Sequence, residues 1–147
     1  MHSVLVVEDD VCIRKALEYE LSELPDVRVD CSRTVEKAIQ KLGNEQSTPY
    51  ELILVDLAFP INGILVPDAG FSIIEEMVRF KMASLVIVIT QGDYWKDGIL
   101  QMIEKVDMKS NNVVRYLIFK PWDSQQLKDA IGKCLNREPF EKLYILE

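Results

Sequence analysis

The feature that most narrows the fold is the apolar run Leu52-Ile53-Leu54-Val55, which passes directly into Asp56 and then Leu57-Ala58-Phe59-Pro60. A short apolar run bounded by turn residues reads as a strand covered on both faces, the environment a parallel sheet provides. Three further runs share this character: Ser3-Val4-Leu5-Val6-Val7, Leu85-Val86-Ile87-Val88-Ile89 and Tyr116-Leu117-Ile118-Phe119. Val27-Arg28-Val29-Asp30-Cys31 alternates instead and reads as a strand nearer an edge.

Helical spacing fills the intervals. Ile13, Ala16, Leu17, Leu21 and Leu24 share one face before Pro25; Val35, Ala38, Ile39 and Leu42 share another before Gly43-Asn44. Ile73, Ile74, Met77 and Val78 mark a third helix over 71–81, and Trp95, Ile99, Met102, Ile103 and Val106 a fourth. A last helix follows a cap at Asp123, with Gln126 as its capping-box partner and Leu127, Ala130, Ile131, Cys134 and Leu135 inward. Strands alternating with helices imply right-handed crossovers. The expected fold is therefore α/β, a doubly wound five-stranded parallel sheet in a three-layer (βα)5 arrangement. Residues 1–136 are expected to form one domain, and 137–147 a tail or the start of a linker.

Composition excludes several functions. At 147 residues the chain is long enough for a real core. A net charge of -7 argues against nonspecific nucleic-acid binding, which needs clustered Lys and Arg. No apolar run approaches the roughly 20 residues of a membrane span, and the N-terminus lacks a secretory pattern. Cys12, Cys31 and Cys134 are odd in number and sit in predicted helices and a strand, which fits thiols in a reducing cytoplasm. His2 is the single histidine, so Ser-His catalysis and His-rich metal sites have almost no material.

The strand ends carry the chemistry. The first strand delivers Glu8 and Asp9, the third Asp56, the fourth Thr90 and the fifth Lys120. In a doubly wound sheet these ends meet at one crevice. Carboxylates forced together repel, and a hard divalent cation relieves the repulsion while accepting their oxygens. Mg²⁺ suits a few carboxylates, waters and a phosphate oxygen, and a hydroxyl and an ammonium opposite it suit a phosphoryl group. Asp10, one residue further on, reads as a helix N-cap only.

At these positions the chain resembles the receiver domain of bacterial two-component response regulators, a flavodoxin-like fold. The matching pieces are Val6-Val7-Glu8-Asp9-Asp10, Leu54-Val55-Asp56, Ile89-Thr90 and Phe119-Lys120-Pro121-Trp122, and the resemblance spans about residues 3–136. It implies that Asp56 accepts a phosphoryl group from the phosphohistidine of a sensor histidine kinase or phosphotransfer protein. Glu8, Asp9, Asp56 and the Ala58 backbone carbonyl would hold Mg²⁺, Thr90 would be the switch hydroxyl, and Lys120 would bind the phosphoryl group through a chain turned by a cis Lys120-Pro121 bond. It further implies a cytoplasmic protein that switches a surface read by a downstream protein target, with a homodimer possible and neither nucleic acid nor membrane bound directly. No enzymatic turnover beyond self-phosphorylation and self-dephosphorylation is expected. The rival keeps the fold and drops the chemistry: a pseudo-receiver acting as a phosphorylation-independent interaction module. A haloacid-dehalogenase-type phosphatase is disfavoured, because its acid/base Asp would fall at Ala58.

Three departures from the family pattern stand out. Fourteen positions separate Asp56 from Gly70, where such loops usually hold about 2–6 residues. Gln91 follows Thr90 where the family places a small residue. Leu117 lies three residues before Lys120, where receivers carry a switch aromatic, and Tyr116 lies one earlier. Adjacent strand residues face opposite ways, so Tyr116 and Leu117 are expected on different faces, with any signal leaving by the fourth helix, fifth strand and fifth helix.

Overall fold

A computed structural model describes residues 1–43, 49–92, 96–110 and 112–147, with the side chains of 107–110 excepted. Trp95 and Asn44, which entered the reading of the fourth helix and the second helix cap, lie outside the described residues.

The expected elements form in the expected order. They are β1 (His2–Val7), α1 (Val11–Ser22), β2 (Val27–Ser32), α2 (Val35–Leu42) and β3 (Leu52–Val55), then β4 (Phe59–Ile61), β5 (Ile64–Val66) and α3 (Phe71–Arg79). The second half comprises β6 (Leu85–Thr90), α4 (Lys96–Ser110), β7 (Val114–Phe119), α5 (Ser124–Leu135) and β8 (Tyr144–Leu146). The main sheet runs β2-β1-β3-β6-β7-β8, and every pairing in it is parallel. Alternate strand residues feed two cores. Leu5, Val7, Ile53, Val55, Val86, Val88 and Leu117 face the layer of α2, α3 and α4, where Ala38, Ile73, Met77, Ile99 and Ile103 meet them. Val4, Val6, Leu52, Leu54, Ile87 and Ile118 face the layer of α1 and α5, packed by Leu17, Leu21, Leu127 and Ile131. Burial on both faces is why these strands are apolar throughout.

Among the described residues, three strands exceed the five expected. β4 and β5 form an antiparallel hairpin inside the long loop after Asp56. Its turn, Asn62-Gly63, holds φ of 53° and 78°, the two positive values a type I′ turn requires. Phe59 anchors the hairpin in the core, whereas Ile61, Ile64 and Leu65 are exposed. β8 comes from the segment read as a tail, and it adds a sixth strand along β7.

The caps follow the sequence signals. Asp10 accepts from the Cys12 and Ile13 N–H groups and Asp123 from that of Gln126, each filling orphan donors of a first turn. Between β6 and β7 the register shifts, with Val86 opposite Val114 but Ile87 opposite Tyr116, so Arg115 is bulged. Beyond the bulge the alternation resumes. Leu117 joins the α2-α3-α4 core and Tyr116 the α1-α5 core, as expected. Phe119 and Trp122 both pack against core clusters.

Candidate functional site

The strand order reverses between β1 and β3, since β2 lies outside β1 on one side while β3, β6 and β7 continue on the other. Such a reversal opens a crevice at the carboxyl ends of the strands. The ladder hydrogen bonds continue past the strands and fix the residues that line it. Glu8 N–H donates to the Ser32 carbonyl (3.1 Å), Asp56 N–H to that of Val7 (3.1 Å), and Lys120 N–H to that of Thr90 (3.0 Å).

Asp56, 8 % exposed, is gripped on both oxygens. Oδ1 accepts from the Leu57 N–H (2.7 Å), the Ala58 N–H (3.3 Å) and the Thr90 hydroxyl (2.9 Å). Oδ2 accepts from Lys120 Nζ at 2.9 Å. The same ammonium reaches Glu8 Oε1 at 2.7 Å, and the Lys120-Pro121 bond is cis as the resemblance implied. Thr90 is fully buried, and its hydroxyl has the Gln91 carbonyl as an alternative acceptor at 3.1 Å. The Gln91 side chain is exposed.

Electrostatics set the character of the cluster. Burial, then the hydrogen bond and repulsion from Asp56, push the Glu8 carboxyl up to about 8 against the opposing pull of Lys120. For Lys120, burial disfavours the charge, but the Asp56 charge and the bonds to Glu8 and Asp56 outweigh it and hold the ammonium above its ordinary range. Glu8 Oε2 is buried and has no partner among the described residues. A buried carboxylate oxygen left without a donor is costly, and a cation is one way to satisfy it. Glu8, Asp9 and Asp56 each present a carboxylate oxygen within 4.8 Å of the others, with Asp9 exposed at the mouth. This hard, oxygen-only donor set fits Mg²⁺ better than a soft metal.

The structure thus brings together Glu8, Asp9, Asp56, Thr90 and Lys120. Ala58 is present through its N–H, which donates to Asp56. Two contributors escaped sequence reasoning. Arg14, 7 % exposed, donates from Nη1 to the Glu8 carbonyl at 3.2 Å, placing a cation behind the acidic pair. Gly70 donates to the Leu57 carbonyl (2.8 Å) and lies so close that an added Cβ would meet the Asp56 carbonyl oxygen at 2.1 Å. The glycine marks the far end of the long loop in the sequence, but nothing local signals its approach to a strand roughly 46 Å of extended chain away, at about 3.3 Å per residue.

No protein-family model matches the sequence, and no curated protein matches it either. Solved structures do match. The signal receiver domain of a putative Luxo repressor protein from Vibrio parahaemolyticus superposes with a TM-score of 0.67 at 19% identity, covering 92% of this chain and 91% of that one. The signal receiver domain of an HD domain-containing protein from Pseudomonas fluorescens gives 0.69 at 22% identity, over 92% and 95%. The response regulator protein TrrA from Thermotoga maritima, solved in complex with Mg²⁺-BeF, gives 0.67 at 23% identity, over 92% and 100%. The chain therefore has the fold of response-regulator receiver domains. Among the described residues, no helix is long and apolar enough to cross a membrane.

Proposed function

We propose that the chain is a phosphoacceptor receiver of a two-component system, taking a phosphoryl group on Asp56 from a phosphohistidine on a sensor kinase or phosphotransfer protein. The observation that carries this reading is the grip on Asp56: Thr90 holds one oxygen, Lys120 the other, and the oxygens of Glu8 and Asp9 stand within 4.8 Å. A structural aspartate at a strand end needs no such company.

In the transfer, an Asp56 carboxylate oxygen forms the new P–O bond as the donor's P–N bond breaks, and the electron pair of that bond returns to the imidazole. The transition state is loose, so positioning and charge neutralisation supply most of the catalysis. The backbone N–H groups of Leu57 and Ala58 and the Thr90 hydroxyl hold the nucleophile's carboxylate in place. Lys120 neutralises charge on the phosphoryl oxygens, and its link to Glu8 keeps it aimed. Mg²⁺, held by Glu8, Asp9, Asp56 and the Ala58 carbonyl, would supply a second centre of positive charge for those oxygens. The chain's chemistry would be limited to forming and hydrolysing its own aspartyl phosphate, the signal passing to a downstream protein. Fluorine NMR with beryllofluoride tests the site: a bound resonance is expected only with Mg²⁺ and is lost in Asp56→Asn. No bound resonance in the wild-type chain with Mg²⁺ present would favour the pseudo-receiver reading.

A further inference from the structure

Residues 137–147 are fastened to the strand that leads into Lys120 and to the helix that follows Thr90. β8 lies parallel to β7, with Tyr144 opposite Tyr116, Ile145 opposite Leu117 and Leu146 opposite Ile118. β7 is the strand whose end delivers Lys120. The Glu147 carboxylate is ion-paired with Lys96 Nζ on the first residue of α4, the helix that follows Thr90. One short segment therefore bridges the strand behind the ammonium and the helix behind the hydroxyl.

The fastening is slight. Three paired residues are at the lower limit for a strand. The Tyr144 ring stacks on Tyr116 with centroids 5.4 Å apart, Phe140 meets Tyr144 edge-on at 6.2 Å, and the Arg115 guanidinium sits 4.3 Å from the centre of the Phe140 ring. Beneath these rings a cavity of about 130 Å³ remains, lined by Arg115, Tyr116, Lys133, Cys134, Phe140 and Tyr144 among others. Tyr144 and Ile145 are 39% and 36% exposed. A segment held by few buried contacts and exposed hydrogen bonds belongs to the low-stability end of a fold.

We propose that residues 137–147 form a strap coupled to the state of Asp56: docked on β7 while Asp56 is a free carboxylate, and released when it carries a phosphoryl group. This rests on the aspartyl-phosphate reading. Thr90 and Lys120 each bond one oxygen of the free carboxylate. A phosphoryl group carries those acceptors outward, so the hydroxyl and the ammonium must re-aim, and the start of α4 shifts relative to β7. A strap pinned to both elements loses one anchor, and what remains is a three-residue ladder with the ring contacts at Tyr116 and Arg115 and the half-buried Leu143 and Leu146. Release uncovers the outer edge of β7.

Coupling of this kind is reciprocal, which gives two independent readouts on the full chain. Hydrogen exchange at residues 144–146 should quicken about tenfold when Mg²⁺ and beryllofluoride are added to the wild-type chain, and stay unchanged in Asp56→Asn. Glu147→Gln, which touches none of the residues around Asp56, should bind beryllofluoride about 2–5-fold more tightly, the range an exposed ion pair carries. Unchanged exchange with beryllofluoride bound, or equal affinity in Glu147→Gln, overturns the strap alone. No fluorine signal of binding to the wild-type chain overturns the aspartyl-phosphate reading and the strap with it.

Discussion

Gly70→Ala places a single methyl group where the site is tightest. Gly70 has helical backbone angles, φ −64° and ψ −20°, so alanine is conformationally acceptable and would contribute up to about 1 kcal/mol by restricting the unfolded chain. Space decides otherwise. The new Cβ would lie 2.1 Å from the Asp56 carbonyl oxygen and 2.9 Å from Leu57 Cα, roughly 1 Å or more inside van der Waals contact. Both neighbours are backbone, pinned by the Asp56 N–H to Val7 and by the Gly70 N–H to Leu57, so no flexible side chain can yield. Overpacking of this kind costs about 1–3 kcal/mol. The net loss of about 1–2 kcal/mol should lower Tm by about 3–8 °C in calorimetry. Whatever backbone shift relieves the clash also moves Asp56 from its 2.9 Å contacts with Thr90 and Lys120. Displacement on the order of 1 Å should slow labelling by acetyl phosphate up to about 100-fold. An unchanged or raised Tm together with an undiminished labelling rate would refute the close-approach reasoning.

Other outcomes follow from the same geometry. Asp9→Ala should weaken Mg²⁺ binding in calorimetry far more than Asp10→Ala, whose loss should instead cost about 1 kcal/mol of stability because Asp10 caps α1; equal losses of affinity would contradict the assignment. The Glu8 carboxyl is raised from 4.5 to about 8, so its share of metal-free stability is full below about 4.5 and lost as the pH rises through about 8. Binding Mg²⁺ must then displace that proton, and affinity should tighten up to about tenfold per unit between pH 6 and 7.5 and level off above 8; a flat profile counts against it. Burial first, then Glu18 beside Cys31, push the Cys31 thiol up to about 12, and burial does the same for Cys134, while Cys12 is exposed. Iodoacetamide at pH 8 should therefore modify Cys12 alone in the native chain, and peptide mapping that finds Cys134 equally modified would be inconsistent with the fold.

Much of this architecture is legible in the sequence because burial on both faces leaves a plain mark. Leu52–Val55 and Leu85–Ile89 have no polar residue to dilute the signal, and each ends at the residue that matters, Asp56 or Thr90. Asp10 and Asp123 announce their helices through chemistry local to one turn. The opposed faces of Tyr116 and Leu117 also follow from local alternation, and the bulge at Arg115 lies before both and leaves their relation intact. The hairpin carries its own signal, Asn62-Gly63 between Phe59-Pro60-Ile61 and Ile64-Leu65-Val66, which marks a type I′ turn and is obscured by the shortness of its strands. β8 is different. Tyr144-Ile145-Leu146 is too short for any periodicity, and its strand state comes from the edge of β7, far away in sequence. The roles of Arg14 and Gly70 are likewise tertiary: one depends on where the Glu8 carbonyl points, the other on how near the strand end passes.

The central claim is that Asp56 is a Mg²⁺-dependent phosphoacceptor. Intact-mass spectrometry of the full chain after incubation with acetyl phosphate and Mg²⁺ tests it most directly. The predicted result is the gain of one phosphoryl group in the wild-type chain, with none in excess chelator and none in Asp56→Asn. Full labelling of Asp56→Asn, or of the wild-type chain without a divalent cation, would contradict it.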